Sequence, residues 1–447
     1  MADNRLNIKP FASDAEPRKP KPFQLLALGF LSYAVIGTGL LSLPLAQASP
    51  VRFVDNVFST TSAISTTGLT TISVVDSYTF FGQLVLLLLF QLGGIGYMTV
   101  SSFVILAQGN ALSESRIKIL SAQFPLPKGF QVSHFVVHVV VFTALIETAG
   151  AALLYGEFAA AGVKNALWSA VFHSVSAFST AGFSLFNNNL EGFRGNGVVN
   201  LTICLLCYLG AIGFIVMQDV FLALRHQNRR ITFTSEVILT ATALVLLVGV
   251  PLFIASEPSL QSMPWKERIY AATFQLMGAS STSGFNTVPI GQLSSGALTL
   301  IIVAMVIGAS PSGTGGGIKT TSLSALLAIL TSCLRGRSEI TFFRRRIPAN
   351  RLNTAVASTT LYVMVLVAGV FLLSLTERQD YLKLIFEAAS ALGTVGLSMG
   401  ITAELSDLGK WLVTALMFFG RIGPLTLGLA LFHSGTAPVH HDADLAT

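Results

Sequence analysis

Charge is scarce in this chain. Only 11% of its 447 residues are Asp, Glu, Lys or Arg, while 52% are hydrophobic and the mean hydropathy is +0.69. That is more apolar surface than a water-soluble fold hides, so an integral membrane protein is expected. Cysteine is scarcer still, with Cys204, Cys207 and Cys333 alone. The first two form a C-x-x-C inside an apolar run, where helical cysteines behave as small hydrophobes, and nothing suggests a disulfide framework. No activated nucleophile, metal-ligand cluster or general acid–base pair stands out, so the chain is not read as an enzyme. Residue-by-residue alternation of apolar and polar residues is also missing, which favours helices over an outer-membrane barrel.

What is present is repetition. Gly68, Gly182, Gly284 and Gly396 each close a Thr-x-Gly tripeptide: Thr66-Thr67-Gly68, Thr180-Ala181-Gly182, Thr282-Ser283-Gly284 and Thr394-Val395-Gly396. Ten residues before each glycine stands a phenylalanine (Phe58, Phe172, Phe274, Phe386), and five before it an alanine (Ala63, Ala177, Ala279, Ala391). A large apolar residue follows each: Leu69, Phe183, Phe285, Leu397. A pattern returning about every 110 residues marks one supersecondary unit used four times.

Each unit reads as an apolar run long enough to cross, a run too short to cross, the glycine motif and a second long run. The long runs cover 23–43 and 80–107, 130–155 and 198–224, 237–254 and 298–330, and 352–375 and 412–432. The short ones cover 51–64, 164–178, 264–279 and 380–392. The expected fold is therefore all-α and integral to the membrane, with four tandem repeats and eight transmembrane helices around a pseudo-fourfold pore. Repeat boundaries fall at 23–107, 108–224, 225–331 and 332–433, with tails at 1–22 and 434–447. The polar, basic stretch before the first run has no small-residue cleavage site, so no removable signal peptide is expected. Lys and Arg are roughly twice as frequent on the side of the two termini, which puts both termini in the cytoplasm and the glycine motifs within reach of the outside. The basic inner loops serve topology first, and binding of anionic lipid or a partner second.

A short helix that ends inside a membrane leaves carbonyls that hydrocarbon cannot satisfy, unless they line an aqueous or ionic path. Four such ends converging on one axis present the negative poles of four helix dipoles, and so favour a cation. Glycine admits positive φ and lets successive carbonyls turn inward. Backbone oxygens that replace a hydration shell are the working parts of a potassium filter. The threonine hydroxyls either add ligands or pack behind the loops. Four tight packing turns would be the structural alternative.

Two repeats depart from the pattern. In the second run of unit three, Gly308-Ala309-Ser310-Pro311-Ser312-Gly313-Thr314-Gly315-Gly316-Gly317 cannot continue as an unbroken helix. Its G-G-G-I-K-T lacks the adjacent Gly-Lys of a phosphate-binding loop. In unit four, Arg421 follows Gly420 where the other units have Gly94, Ala211 and Ala309 after Gly93, Gly210 and Gly308. An arginine at membrane depth must face protein or water. A pore-facing charge is expected there, with a salt bridge to Glu147 or Asp219 as the alternative. His173 and Glu387, each one residue after an aligned phenylalanine, are expected to brace the loops.

This order of elements, four times in one chain, resembles the Ktr/Trk/HKT superfamily of potassium transporters, and the Ktr membrane subunit more than the longer Trk subunit. The resemblance spans about residues 23–432. It implies potassium uptake through a filter made of the twelve Thr-x-Gly residues. It also implies an intramembrane gating loop at Gly308 to Gly317 with Lys319 just below it, and a constriction that includes Arg421. A homodimer in the bacterial inner membrane is implied, resting on a cytosolic ring of nucleotide-binding regulatory subunits, with no nucleic-acid partner and no covalent cofactor. Some relatives imply sodium as a coupling ion, and Asn286 is implied in shaping the entrance. The potassium-binding subunit of an ATP-driven pump is a rival reading, but such subunits carry additional spans. A sodium-preferring relative is another, in which the first filter glycine tends to be serine where this chain has Gly68.

Overall fold

The computed structural model describes residues 22–114, 116, 117, 120, 131–225, 231–337 and 339–423. The expected tails at 1–22, apart from residue 22, and at 434–447 lie outside the described residues, as does the end of the last apolar run. The described chain is predominantly helical, with one two-stranded hairpin, Thr341–Phe342 paired to Arg345–Arg346. Among the described residues, four helices are long and apolar enough to cross a membrane: Gln24–Leu41, Val132–Ala160, Phe233–Ser256 and Ala349–Thr376. They are the first long runs of the four units. Leu145, Leu153, Leu247, Val367 and Phe371 on them are more than half exposed, as side chains meeting lipid should be.

The short helices form where the apolar periodicity stops short: Phe53–Ile64, Ala166–Phe178, Trp265–Ser280 and Tyr381–Gly393. The aligned phenylalanines Phe58, Phe172, Phe274 and Phe386 on them are fully buried. The helix that follows each glycine loop starts at a side-chain cap, which satisfies amides the first turn leaves open. Thr79, Asn196, Ser294 and Ser406 accept from backbone amides of Gly82, Val198 and Val199, Ala297, and Gly409 respectively.

The second runs differ from the expectation of continuous helices interrupted in unit three alone. The first three break. Phe80–Ile95 and the helix beyond it meet at 89°, and Gly197–Ile212 meets Phe214–Arg225 at 96°. Gly96 and Gly213 stand at breaks and Gly423 at the end of the fourth helix, with φ of +88°, +91° and +86°, a conformation that ends a right-handed helix at little cost to glycine alone. In unit three the helices Ser295–Val306 and Thr320–Leu334 are separated by an irregular segment. Counting each bent pair as one span, six spans meet the length and composition of a membrane crossing among the described residues.

A buried ion pair fastens the first unit to the last. Lys410 Nζ donates to Asp55 Oδ1 at 2.6 Å, with both side chains almost fully buried. Nearby, Arg52 and Asp407 pair at 2.5 Å in the open, where solvent screening leaves such a pair little energy.

Candidate functional site

Each short helix ends the same way. The threonine amide returns to the carbonyl three residues back (Thr66 to Ala63, Thr180 to Ala177, Thr282 to Ala279, Thr394 to Ala391), and the next amide to the carbonyl five residues back (Thr67 to Ser62, Ala181 to Ser176, Ser283 to Gly278, Val395 to Ser390). This is the paired-bond helix stop that normally carries glycine in the left-handed position. Here threonine takes it, with φ of +56°, +52°, +57° and +50° in the four copies. The helix ends thus satisfy part of their own carbonyls, contrary to the expectation that these would be the unpaired ones. The orphans lie further on. Among the described residues, no carbonyl of Thr66, Thr67, Gly68, Thr180, Ala181, Gly182, Thr282, Ser283, Gly284, Thr394, Val395 or Gly396 accepts a hydrogen bond, although nearly all these residues are buried.

The four loops close on one another in chain order. A Cβ placed on Gly68 would lie 2.4 Å from the Ala181 carbonyl oxygen, one on Gly182 2.5 Å from that of Ser283, one on Gly284 2.4 Å from that of Val395, and one on Gly396 2.1 Å from that of Thr67. Each glycine has positive φ, between +68° and +94°. The second helices press in behind. Gly93, Gly210 and Gly420 meet the carbonyls of Ile64, Phe178 and Leu392, the last or next-to-last residues of the short helices, so closely that a Cβ would overlap them.

Side chains of the short helices brace the chain beyond the loops. His173, fully buried, donates from Nδ1 to the Ser169 carbonyl at 2.7 Å and meets Ser184 Oγ through Nε2 at 2.9 Å. Gln275 accepts from the Thr287 amide at 3.3 Å. Glu387 accepts from Thr402 Oγ1 at 2.5 Å and Ser398 Oγ at 2.8 Å. Outside the loops opens a cup of about 610 Å³ whose wall includes all four glycines, Asp76, Glu191 and Asn286. Asn286 donates to Glu191 Oε1 at 3.0 Å and to the Val288 carbonyl. The Ser73 hydroxyl and the Asn187 amide hold the Asp76 carboxyl below the usual carboxylate range.

Beneath the threonines runs the segment 307–319. Its ends are tied by an Ile307–Ile318 bridge, and its flank is tied to the break in unit two, where Ser310 and Thr314 amides donate to the Ala211 and Gly210 carbonyls. Thr314 reaches two of the four threonines: its carbonyl accepts from Thr66 Oγ1 at 3.0 Å, and its hydroxyl meets Thr180 Oγ1 at 2.9 Å. Gly315 lies so near Thr282 Oγ1, and Gly316 so near Thr394 Oγ1, that neither could carry a side chain. Two cations grip this segment. Lys319 Nζ donates to the Gly315 carbonyl at 2.7 Å. Arg421 donates to the carbonyls of Thr314 and Gly93, to that of Gly94 at 3.4 Å, and to Thr66 Oγ1 at 3.2 Å.

The alternative of a salt bridge from Arg421 to Glu147 or Asp219 is not what the structure shows. Glu147 accepts from Gln91 Nε2 at 3.0 Å, and Asp219 accepts from the Thr232 amide at 2.6 Å. Backbone carbonyls, not a carboxylate, surround the guanidinium. Cys204 and Cys207 are free thiols, and no group of three metal-ligating side chains occurs among the described residues. The sequence reading missed Gly96, Gly213 and Gly423. Their signal was present, three residues after the aligned Gly93, Gly210 and Gly420.

Apolar helices packed around a closed ring of unpaired backbone oxygens define a helical, multi-pass membrane protein of the cation-handling class. The chain belongs to the TrkH family of cation transport proteins, whose model matches residues 5–434. It is 34% identical over 413 residues to the Ktr system potassium uptake protein B of Bacillus subtilis, covering 91% of this chain and 92% of that one. It is 32% identical over 429 residues to the potassium/sodium uptake protein NtpJ of Enterococcus hirae, covering 93% of each. The crystal structure of the potassium transporter TrkH from Vibrio parahaemolyticus matches with a TM-score of 0.74 at 20% identity, over 94% of this chain and 86% of that one.

Proposed function

We propose that this chain conducts potassium ions into a bacterial cell through the ring of Thr-x-Gly loops. The observation that carries the reading is the set of buried loop carbonyls without hydrogen-bond partners. Such groups are costly unless something meets them, and a dehydrated alkali cation is what rings of backbone oxygens accommodate. In this reading the four units cross the inner membrane eight times, with both termini inside. The segment Gly308 to Gly317, held by Lys319 and Arg421, obstructs the path below the ring until it moves. Two copies of the chain, each with its own path, rest on a cytosolic nucleotide-binding ring that governs that motion. The relative named a potassium/sodium uptake protein supports sodium as a second ion.

The test is flux in vesicles reconstituted with the full chain, measured for potassium, rubidium and sodium. Gly68→Ser forces a side chain into a position of φ +92° facing the Ala181 carbonyl. Left-handed backbone costs a non-glycine residue about 1–2 kcal/mol, so preference for potassium over sodium should fall about tenfold. An unchanged ratio of the two fluxes in the folded variant would refute the assignment of the ring as the selective element.

A further inference from the structure

The hairpin between units three and four breaks a local rule. Its two strands are joined by Phe343 and Arg344 alone, with φ of +45° and +60°. A two-residue turn with positive φ at both positions favours Asn-Gly. An aromatic and an arginine are strained in it, and strain of this kind points to a task for the side chains. Both are turned outward. Phe343 is 46% exposed and leans on Phe342 at a ring distance of 4.6 Å, and Arg344 is exposed beside it.

The surrounding charge is unbalanced. Arg346 pairs with Glu339 at 3.0 Å, while Arg345 lies 3.8 Å from Glu236 and over the Phe233 ring. Arg335, Arg344 and Arg351 have no ion pair among the described residues. Covalent geometry fixes the level of the hairpin. Arg346 is followed almost at once by Ala349–Thr376, one of the four long apolar helices. The preceding helix ends at Leu334, 78% exposed, and the Thr341 amide donates back to its Ser332 hydroxyl. The tip therefore lies close to one end of a helix long enough to cross a membrane. An exposed ring flanked by uncompensated guanidinium groups suits a membrane boundary, the ring entering the interface and the charges meeting phosphates.

We propose that the 341–346 hairpin docks on the anionic phospholipid headgroups of the adjacent leaflet, with Phe343 in the interface and Arg344, Arg335 and Arg351 on the phosphates. This holds whether or not the Thr-x-Gly ring conducts potassium.

Cys333 offers a local reporter, being exposed one residue before Leu334, whereas Cys207 is buried and Cys204 half-buried. A donor fluorophore on Cys333 of the full chain is read against headgroup-labelled phosphatidylglycerol or phosphatidylcholine in reconstituted vesicles. The parent should enrich phosphatidylglycerol over phosphatidylcholine near the label. Replacing the tip by its favoured turn pair, Phe343→Asn with Arg344→Gly, keeps the hairpin folded and should lower that enrichment about fivefold, the effect of one arginine near a charged surface. Arg344→Gln alone should give most of the loss, and added salt should erase the difference. Equal enrichment in parent and variant, or enrichment in neither, overturns the proposal. A lipid-independent signal that appears only on adding a soluble acidic protein overturns it too, in favour of a protein partner.

Discussion

Four threonines occupy a backbone conformation that threonine ordinarily avoids. A β-branched residue at φ near +55° is an outlier, yet the choice repeats at Thr66, Thr180, Thr282 and Thr394. In two copies the hydroxyl donates to the preceding carbonyl, Thr66 to Ser65 at 2.6 Å and Thr180 to Ser179 at 2.8 Å, which offsets part of the strain. Propensity hides this, so the sequence reading assigned the turn to the glycines and only half the local geometry was legible. At the same scale, Arg421 is the side chain whose removal should be most informative. Hydrogen bonds to charged groups contribute about 1.5–3 kcal/mol each. Arg421→Ala frees the Thr314 carbonyl from its charged donor, so potassium flux should rise about tenfold. Unaltered flux from a variant with the parent's melting temperature would show that Arg421 does not hold the segment closed.

At the scale of elements, apolar run length located the short helices to within a few residues, because burial stops where the chain must turn back. The breaks in the second helices were less legible. A glycine inside an apolar run reads as a tolerated packing residue unless its backbone is seen, and only the Pro-and-Gly-rich segment of unit three was too extreme to mistake. The partners of Arg421 were illegible for another reason: backbone carbonyls have no letter in a sequence, so a search for acids finds Glu147 and Asp219 instead. The Asp55–Lys410 pair was equally hidden, with its members 355 residues apart. It joins the first short helix to the last long one, and breaking one side of a buried pair costs about 3–5 kcal/mol. Lys410→Met should therefore lower the melting temperature sharply, and adding Asp55→Leu should restore much of the loss. A double variant no more stable than the single one would mean that the pair is not what couples these helices.

For the molecule as a whole, the fourfold plan was the most legible feature, since it needs nothing beyond matching letters around four glycines. Membership of the TrkH family and likeness to a solved TrkH structure extend over nearly the whole chain. The ring itself emerges only in three dimensions, from each glycine approaching the carbonyl of the next loop and the last approaching the first. Unit three departs from its siblings in carrying the segment that runs under all four threonines, so a near-symmetric ring is flanked on one side by a single piece of chain. The account stands on an alkali ion occupying that ring. Anomalous scattering from crystals grown in rubidium locates such an ion directly. The account predicts density on the axis between the Thr66, Thr180, Thr282 and Thr394 loops that fades as sodium replaces rubidium; rubidium bound elsewhere with that axis empty would contradict it.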